Sequence, residues 1–448
     1  MMEVSVKLLI LVFSLVINVL SSPIDFFWLG DAYNYTELVS LGLPEGVHVD
    51  NAFKSSVRFK GLPPIIPYPL NTQKTLKTGE IPQYVIDYSP VVHLYSEEKY
   101  LPYDIKEYVK NFHAEFEDGT KLLNGKTLNI NDLSKLSNIF ENPIFLTSNS
   151  DFDNDPDWIT GVENKPNIYN GKLEHSPAIL IVVDKGNGWV DAFWFYFYSF
   201  NLGPFVMGVG PFGNHVGDWE HSLVRFYNGK PYIVWMSAHG GGNAYFYDHM
   251  EKLESDINRP VLFSARGTHA NYASVGQHAH DLPYSILSDF TDRGLLWDPS
   301  KNYLAYTAEF NPIKGINVTY ANGSIPNRER DEYGDWLNFR GYWGNKQLPG
   351  SDKRQVWSPF GWKYINGPAG PLNKNLDRVS PCQRAKWWNF WGGCNVRVYV
   401  KMGNGIESEG NNGCGNFFKK VKPFYLKKIL ELITYGGGLC WILDLIYG

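Results

Sequence analysis

The chain runs to 448 residues with 41 Lys+Arg against 46 Asp+Glu, 19% charged and 44% hydrophobic, a composition that excludes a disordered tail and allows a sizeable core. A net charge of −5 offers no basic excess to neutralise a phosphate backbone, which argues against nucleic acid as a partner. Aromatic residues at 16% and 43 glycines favour strands and turns over helix bundles.

At the amino end Lys7 precedes an uncharged apolar run from Leu8 to Leu20, which closes on Ser21 and Ser22 before Pro23. The run is shorter than the roughly 20 residues that cross a bilayer, so residues 1–22 read as a cleavable signal peptide and the mature chain is expected to have no transmembrane span. Entry into the secretory pathway makes Asn34, Asn317 and Asn322, each in an N-x-[ST] triplet, expected glycosylation sites. Residues 23–83 carry Pro63, Pro64, Pro67 and Pro69 in one short stretch and read as an extended Pro-rich arm. From Tyr84 onward, β-branched and aromatic runs broken by Gly, Pro and Asn predict strands over 91–95, 178–183, 190–200, 222–227, 232–237 and 261–264. Asn228-Gly229 falls between two of them and predicts a hairpin, because both residues tolerate positive φ. Helices are expected only over 104–112, 131–140 and 425–434. The fold class is mainly β: a β-sandwich body over 84–345 with a few short peripheral helices, followed by a Cys-containing region over 346–448. All four cysteines, Cys382, Cys394, Cys414 and Cys440, lie in that last region with gaps of 12, 20 and 26 residues. These gaps exceed those of zinc ribbons, and two disulfides are expected, with three pairings open.

Three motif-like strings carry no function. GVGPFG at 208–213 has Pro211 where a dinucleotide site needs a helix to begin. His239-Gly240-Gly241-Gly242 resembles an oxyanion loop, but no Ser has Gly on both sides at the spacing of a nucleophile elbow. Asp151, Asp153, Asp155 and Asp157 alternate as in a calcium loop, but Pro156 replaces the required Gly, so a solvated turn is expected.

The informative constellation is Asn214-His215-Val216-Gly217-Asp218-Trp219-Glu220-His221, followed by Ser237-Ala238-His239 and Arg266-Gly267-Thr268-His269-Ala270-Asn271. In a strand starting at Asp218, Asp218 and Glu220 project from one face, about 7 Å apart, while Trp219, His221 and Leu223 take the other. Two carboxylates on one face repel unless something positive meets them. With His215 they make a one-His, two-carboxylate set suited to a hard divalent cation, Mg²⁺, Ca²⁺ or Mn²⁺ before Zn²⁺. The alternative is an ordinary strand whose carboxylates pair with Arg225 or Arg266.

The string from Tyr88 to Ser96 through Glu98, Tyr100 and Pro102, then HVGDWEH at 215–221, SAHGGG at 237–242, RGTHANY at 266–272 and DRGLLWDP at 292–299, resembles the fungal vacuolar protein sorting-associated protein 62 family over roughly 85–345. That resemblance implies a role in delivering proteins to the vacuole without naming a reaction. A second, local similarity is to the necrosis- and ethylene-inducing peptide-like proteins, secreted β-sandwich cytolysins with a G-H-R-H-D-W-E motif. It implies a divalent cation on His215, Asp218 and Glu220, and a sphingolipid head group as ligand. This chain departs from the motif at Gly217, which replaces the second His, and at Asn201, near the place of a further acid.

The sequence therefore predicts a non-enzymatic protein of the secretory pathway, vacuolar or secreted. Its cation site would recognise a lipid head group or glycan, with His239, His269, Asn271 and Trp219 as ligand-binding residues. A metal-dependent hydrolase of a phosphoester or glycan, with His239 or His269 as base, is the alternative, and a cargo protein is a further possible partner. A thiol reagent is expected to find no reactive cysteine in the denatured, unreduced secreted protein; four reactive thiols would remove the disulfides from the account.

Overall fold

The computed structural model describes residues 73–400, apart from 138, 140–141, 206–209, 240, 254–257, 280–286, 312–314, 321–332, 334, 359–360, 379–380, 384–395 and 398–399. For residues 279, 309–311 and 315–320 it describes the backbone alone. The expected signal peptide, most of the arm, Asn34, Asn322, Cys394, Cys414, Cys440 and the helix over 425–434 lie outside the described residues. Asn317 lies in a strand, and Cys382 is disulfide-bonded.

In chain order, α1 (Gln83–Asp87) leads into β1 (Val91–His93). Asp104 caps α2 (Ile105–Tyr108) by accepting from Lys106 N–H, and a 3-10 turn over Val109–Asn111 completes most of the helix expected there. Then come β2 (Phe112–Phe116), α3 (Asp132–Leu136), β3 (Ile144–Ser148) and α4 (Asp157–Thr160). The body follows as β4 (Ala178–Gly186), β5 (Trp189–Asn201), β6 (His215–Tyr227), β7 (Lys230–Ala238) and β8 (Gly241–Phe246). Next are β9 (Lys252–Leu253), β10 (Arg259–Ser264), β11 (Asn271–Tyr272), β12 (Gly276–Ala279), β13 (Ser288–Thr291) and β14 (Leu296–Trp297). The described part ends with β15 (Tyr303–Asn311), β16 (Gly315–Tyr320), β17 (Trp357–Ser358), β18 (Gly361–Trp362) and β19 (Val396–Arg397).

The main sheet has the order β16-β15-β4-β5-β6-β7-β8-β19. A smaller sheet, β11-β10-β1-β14 with β9 at the end of β10, packs on one face of it. Between the two lie Val92, Leu262 and Trp297 of the small sheet and Trp194, Tyr196, Tyr198, Val224, Phe226 and Met236 of the large one. This is the expected sandwich. The other face of the main sheet is buried as well: Phe193, Phe195, Phe197, Trp219, Leu223 and Trp235 pack on Tyr108, Phe112, Leu146, Trp336 and Trp343. Burial on both faces explains why β5 (WVDAFWFYFYSFN) reads as a continuous apolar and aromatic run over 192–198 rather than an alternation. Asn228 and Gly229 both have positive φ, 48° and 76°, and join β6 to β7 in the expected tight hairpin. Among the described residues, no helix is long and apolar enough to cross a membrane.

Two features fasten the carboxyl-terminal segment to this body. Arg225, on the Trp219 side of β6, makes a two-pronged bond to Asp191, Nε to Oδ1 at 2.7 Å and Nη2 to Oδ2 at 2.8 Å, with both side chains inaccessible. Lys185 Nζ lies 3.7 Å from the same carboxylate and donates to the carbonyls of Leu376 and Arg378. Arg225 is therefore spoken for on the far face, and Arg266 lies over the Tyr95 ring; neither explains the carboxylates of the site. The aspartates at 151, 153 and 155 meet Arg354, Lys363 and Lys99 at 2.7, 3.6 and 2.7 Å, so that run is an ion-paired turn.

The second feature is Gly217. Its φ is +71°, and a Cβ there would stand 2.0 Å from the carbonyl oxygen of Trp343 and 2.8 Å from the Tyr108 hydroxyl, which itself donates to that carbonyl. No side chain fits, which is the physical reason the motif carries Gly at this place. Gly217→Ala is expected to destabilise the chain by more than about 1 kcal/mol in urea unfolding; an unchanged midpoint would mean that the 343–344 segment yields easily.

Candidate functional site

The parallel pairing of β1 with β10, Val91 opposite Val261, brings the segment after β1 beside the turn after β10. Glu98 accepts from Tyr100 N–H at 2.8 Å and from Gly267 N–H at 2.7 Å, locking the two together. The turn places His269 at φ +54°, fully buried and stacked on Tyr198 with ring centroids 3.7 Å apart and planes at 4°. Its Nδ1 is 3.0 Å from Asp218 Oδ2, and its Nε2 is 3.0 Å from the Tyr100 carbonyl and 3.7 Å from Glu98. A carbonyl and a carboxylate can only accept, so both ring nitrogens donate and His269 is an imidazolium. Burial opposes that charge, but Glu98 and Asp218 outweigh it and raise the pKa to about 9.

Asp218 and Glu220 share one face of β6, 4% and 8% exposed, and line a cavity of about 330 Å³ with His215, Asn201, His239 and Lys374. Glu220 accepts a short hydrogen bond from the Ser237 hydroxyl. Burial, then the neighbouring Asp218, push its pKa up to about 8 against the pull of Lys374, Ser237 and His239. His215 Nδ1 is 2.6 Å from the Gly217 carbonyl, which fixes the proton on Nδ1 and leaves Nε2 as the lone-pair nitrogen. Burial holds its pKa below the usual imidazole value, so the ring is neutral. Each of the three side chains thus has a partner that fixes its orientation, as ligands in metal sites do. Among the described residues, no group of three or more His, Cys, Asp or Glu side chains is arranged to hold a metal ion; a cation here would require these side chains to draw together.

His239 also faces this cavity, at φ +51°. Its Nε2 is 2.6 Å from Asp289 Oδ2, and Asp289 further accepts from the Thr268 hydroxyl at 2.8 Å and the Tyr272 hydroxyl at 2.6 Å. The remaining expected ligand residues do not line it. Trp219 points through the sheet into the aromatic core, 4.7 Å from Phe197 and stacked on Trp336: the alternation that aims Asp218 and Glu220 at the cavity aims Trp219 away. His269 stands behind Asp218, out of reach of a ligand. Asn271 is 1% exposed and its amide has no hydrogen-bond partner among the described residues. Sequence reasoning missed Lys374, Asp289 and Ser237 as site residues. Ser237 lay in a quoted string, whereas Asp289 and Lys374 had no local signal at all.

Residues 71–323 match the family described as vacuolar protein sorting-associated protein 62. From Saccharomyces cerevisiae, "Vacuolar protein sorting-associated protein 62" is 50% identical over 417 residues, 86% of this chain and 87% of that one. The chain belongs to the vacuolar protein sorting-associated protein 62 family. "Putative vacuolar protein sorting-associated protein TDA6" of the same yeast is 48% identical over 436 residues, covering 88% of this chain and 91% of its own length. Among solved structures, Necrosis and Ethylene inducing Protein 2 from the causal agent of cocoa's Witches Broom disease is 12% identical over 44% of this chain and 69% of that one, at a TM-score of 0.23. At that score the likeness says nothing about the site.

The two raised pKa values have one sign. Glu220 moves from 4.5 to about 8 and His269 from 6.5 to about 9, so the folded chain holds protons that the unfolded chain releases. The stability they contribute is complete below the unfolded values and is lost as pH rises through 8 and 9. Metal-free protein is expected to have a lower urea midpoint at pH 9 than at pH 6, and Glu220→Gln to flatten the lower part of that fall. The buried Lys185 and Arg378, whose pKa values are lowered to about 8 and about 9, work in the opposite direction, so the decisive readout is the difference between variants: a pH dependence identical in Glu220→Gln and parent would contradict the proton on Glu220.

Proposed function

We propose that this chain acts in the vacuolar branch of the secretory pathway, in the vacuole lumen or outside the cell, as a non-enzymatic binding protein. Its cavity would hold one hard divalent cation and, through it, a lipid head group or glycan. The observation that carries the reading is the trio of His215, Asp218 and Glu220 lining one cavity, each fixed by a partner of its own. A cation there would offset the repulsion between two buried carboxylates and take the place of the proton on Glu220. Mg²⁺, Ca²⁺ and Mn²⁺ suit an oxygen-rich set with one imidazole. The names of the two yeast relatives and the apolar run at the amino end support the compartment.

One feature favours a second reading, a metal-dependent hydrolase of a phosphoester or glycan. His239 sits at the cavity wall with its ring held by Asp289, the arrangement of a base oriented by a carboxylate. Turnover of a phosphoester or glycoside that disappears in His239→Gln would decide for it.

The deciding experiment on the binding reading is elemental analysis with calorimetry of the secretion-expressed protein. The expected result is one divalent cation per chain, lost in Asp218→Asn/Glu220→Gln. Binding near pH 6.5 should release about one proton, read from buffers of different ionisation enthalpy. A parent chain that takes up no cation would sink the proposal.

A further inference from the structure

Lys374 enters the cavity from outside the matched region. It follows the 3-10 turn Pro371–Asn373, with its N–H donating to the Pro371 carbonyl and its own carbonyl accepting from Arg378 Nη1 at 2.9 Å. The turn is anchored by Leu372 and Leu376, both buried against the outer face of the main sheet, and by the Lys185 bond to the Leu376 carbonyl. Its place on the cavity wall is therefore built by the fold. The ammonium feels Glu220 and His215 electrostatically, yet among the described residues no carboxylate stands within ion-pair distance of it. A lysine in such a position is a point charge for an anionic oxygen.

Taking the cation reading as given, we infer that the ligand of this cavity carries a phosphate ester, bridging the cation at Asp218 and Glu220 to the ammonium of Lys374. Once a cation sits on the carboxylates, their attraction for Lys374 is spent and two positive centres share one desolvated cavity. They repel unless an anion with oxygens on both sides lies between them. A phosphate monoester or diester has that shape and charge; a neutral sugar does not. The cavity, at about 330 Å³, lies within the range of small-molecule sites.

The test compares the parent with Lys374→Gln and Lys374→Arg. Calorimetry of the Mg²⁺-loaded chains would use inorganic phosphate, glycerol phosphate and, as the neutral control, methyl mannoside. Vesicles of phosphatidylcholine with and without phosphatidylinositol would separate a lipid source from a free one. Binding of glycerol phosphate but not of methyl mannoside is expected, weakened at least about tenfold in K374Q, as for loss of a charge-assisted bond. K374R should bind close to parent, and K374Q should take up Mg²⁺ at least as tightly as parent. Co-sedimentation with phosphatidylinositol vesicles would identify the lipid as the source, whereas binding of the soluble esters alone would identify a free phosphate. Mg²⁺ uptake with equal affinity for phosphate and mannoside, or phosphate binding indifferent to K374Q, would overturn the inference and leave the cation site standing. Failure of the parent to bind Mg²⁺, Ca²⁺ and Mn²⁺ alike in the same titration would overturn both.

Discussion

A carboxylate buried in the middle of an aromatic sheet stays ionised only where a cation or several donors meet it. At Asp218 that partner is His269, an imidazolium held between Asp218, the Tyr100 carbonyl and Glu98 and stacked flat on Tyr198. The interaction binds three distant pieces of chain: the stretch after β1, the first part of β6 and the turn after β10. Three of the five strings that looked family-specific in the sequence each supply one part of it: Glu98 and Tyr100, Asp218, and His269. Their spacing along the chain has no chemical meaning until the parallel β1–β10 ladder folds them together.

With Asp218 fixed in this way, Glu220 is the group left under tension. Two residues along the same strand face, it is buried and beside a like charge, and it answers by keeping its proton and bonding Ser237. The cavity therefore holds one ion-paired carboxylate and one that keeps its proton, which a cation of the kind proposed would have to displace. Affinity for such a cation should weaken in acid, because the proton competes for Glu220.

The part of this legible in sequence follows the range of the signals. Alternation over 218–223 correctly divided Asp218 and Glu220 from Trp219, His221 and Leu223, and Asn228-Gly229 correctly marked a hairpin, because both are dictated by neighbouring residues. Placing Trp219 at a ligand contradicted that same alternation, and the aromatic core on the second face of the sheet shows where it went. The second core itself was hidden, since a doubly buried strand such as β5 has no polar face to reveal what covers it. Lys374 reaches the cavity from 154 residues beyond Glu220, and Asp289, 69 residues beyond Glu220, bonds the cavity residue His239; no local pattern announces such contacts. Gly217 was visible as a departure from the motif, but its cause, the Trp343 carbonyl pressed against it, lies in tertiary packing.

The order of assembly follows from two of the parallel ladders. β4 pairs with β15, Ala178 beside Tyr303, and β1 pairs with β10, Val91 beside Val261. Both close long loops, whereas the β4-β5-β6-β7-β8 meander closes only short ones. Contacts of high sequence separation form late because their chain entropy must be spent before they return anything. The meander would thus present Asp218 and Glu220 early, with no His269, Glu98 or Lys374 yet at hand, and for that interval two bare carboxylates would stand on an open sheet face. Only the last long-range closures turn that face into a cavity, so a nascent or partly unfolded chain has the ligand-bearing strand without the site.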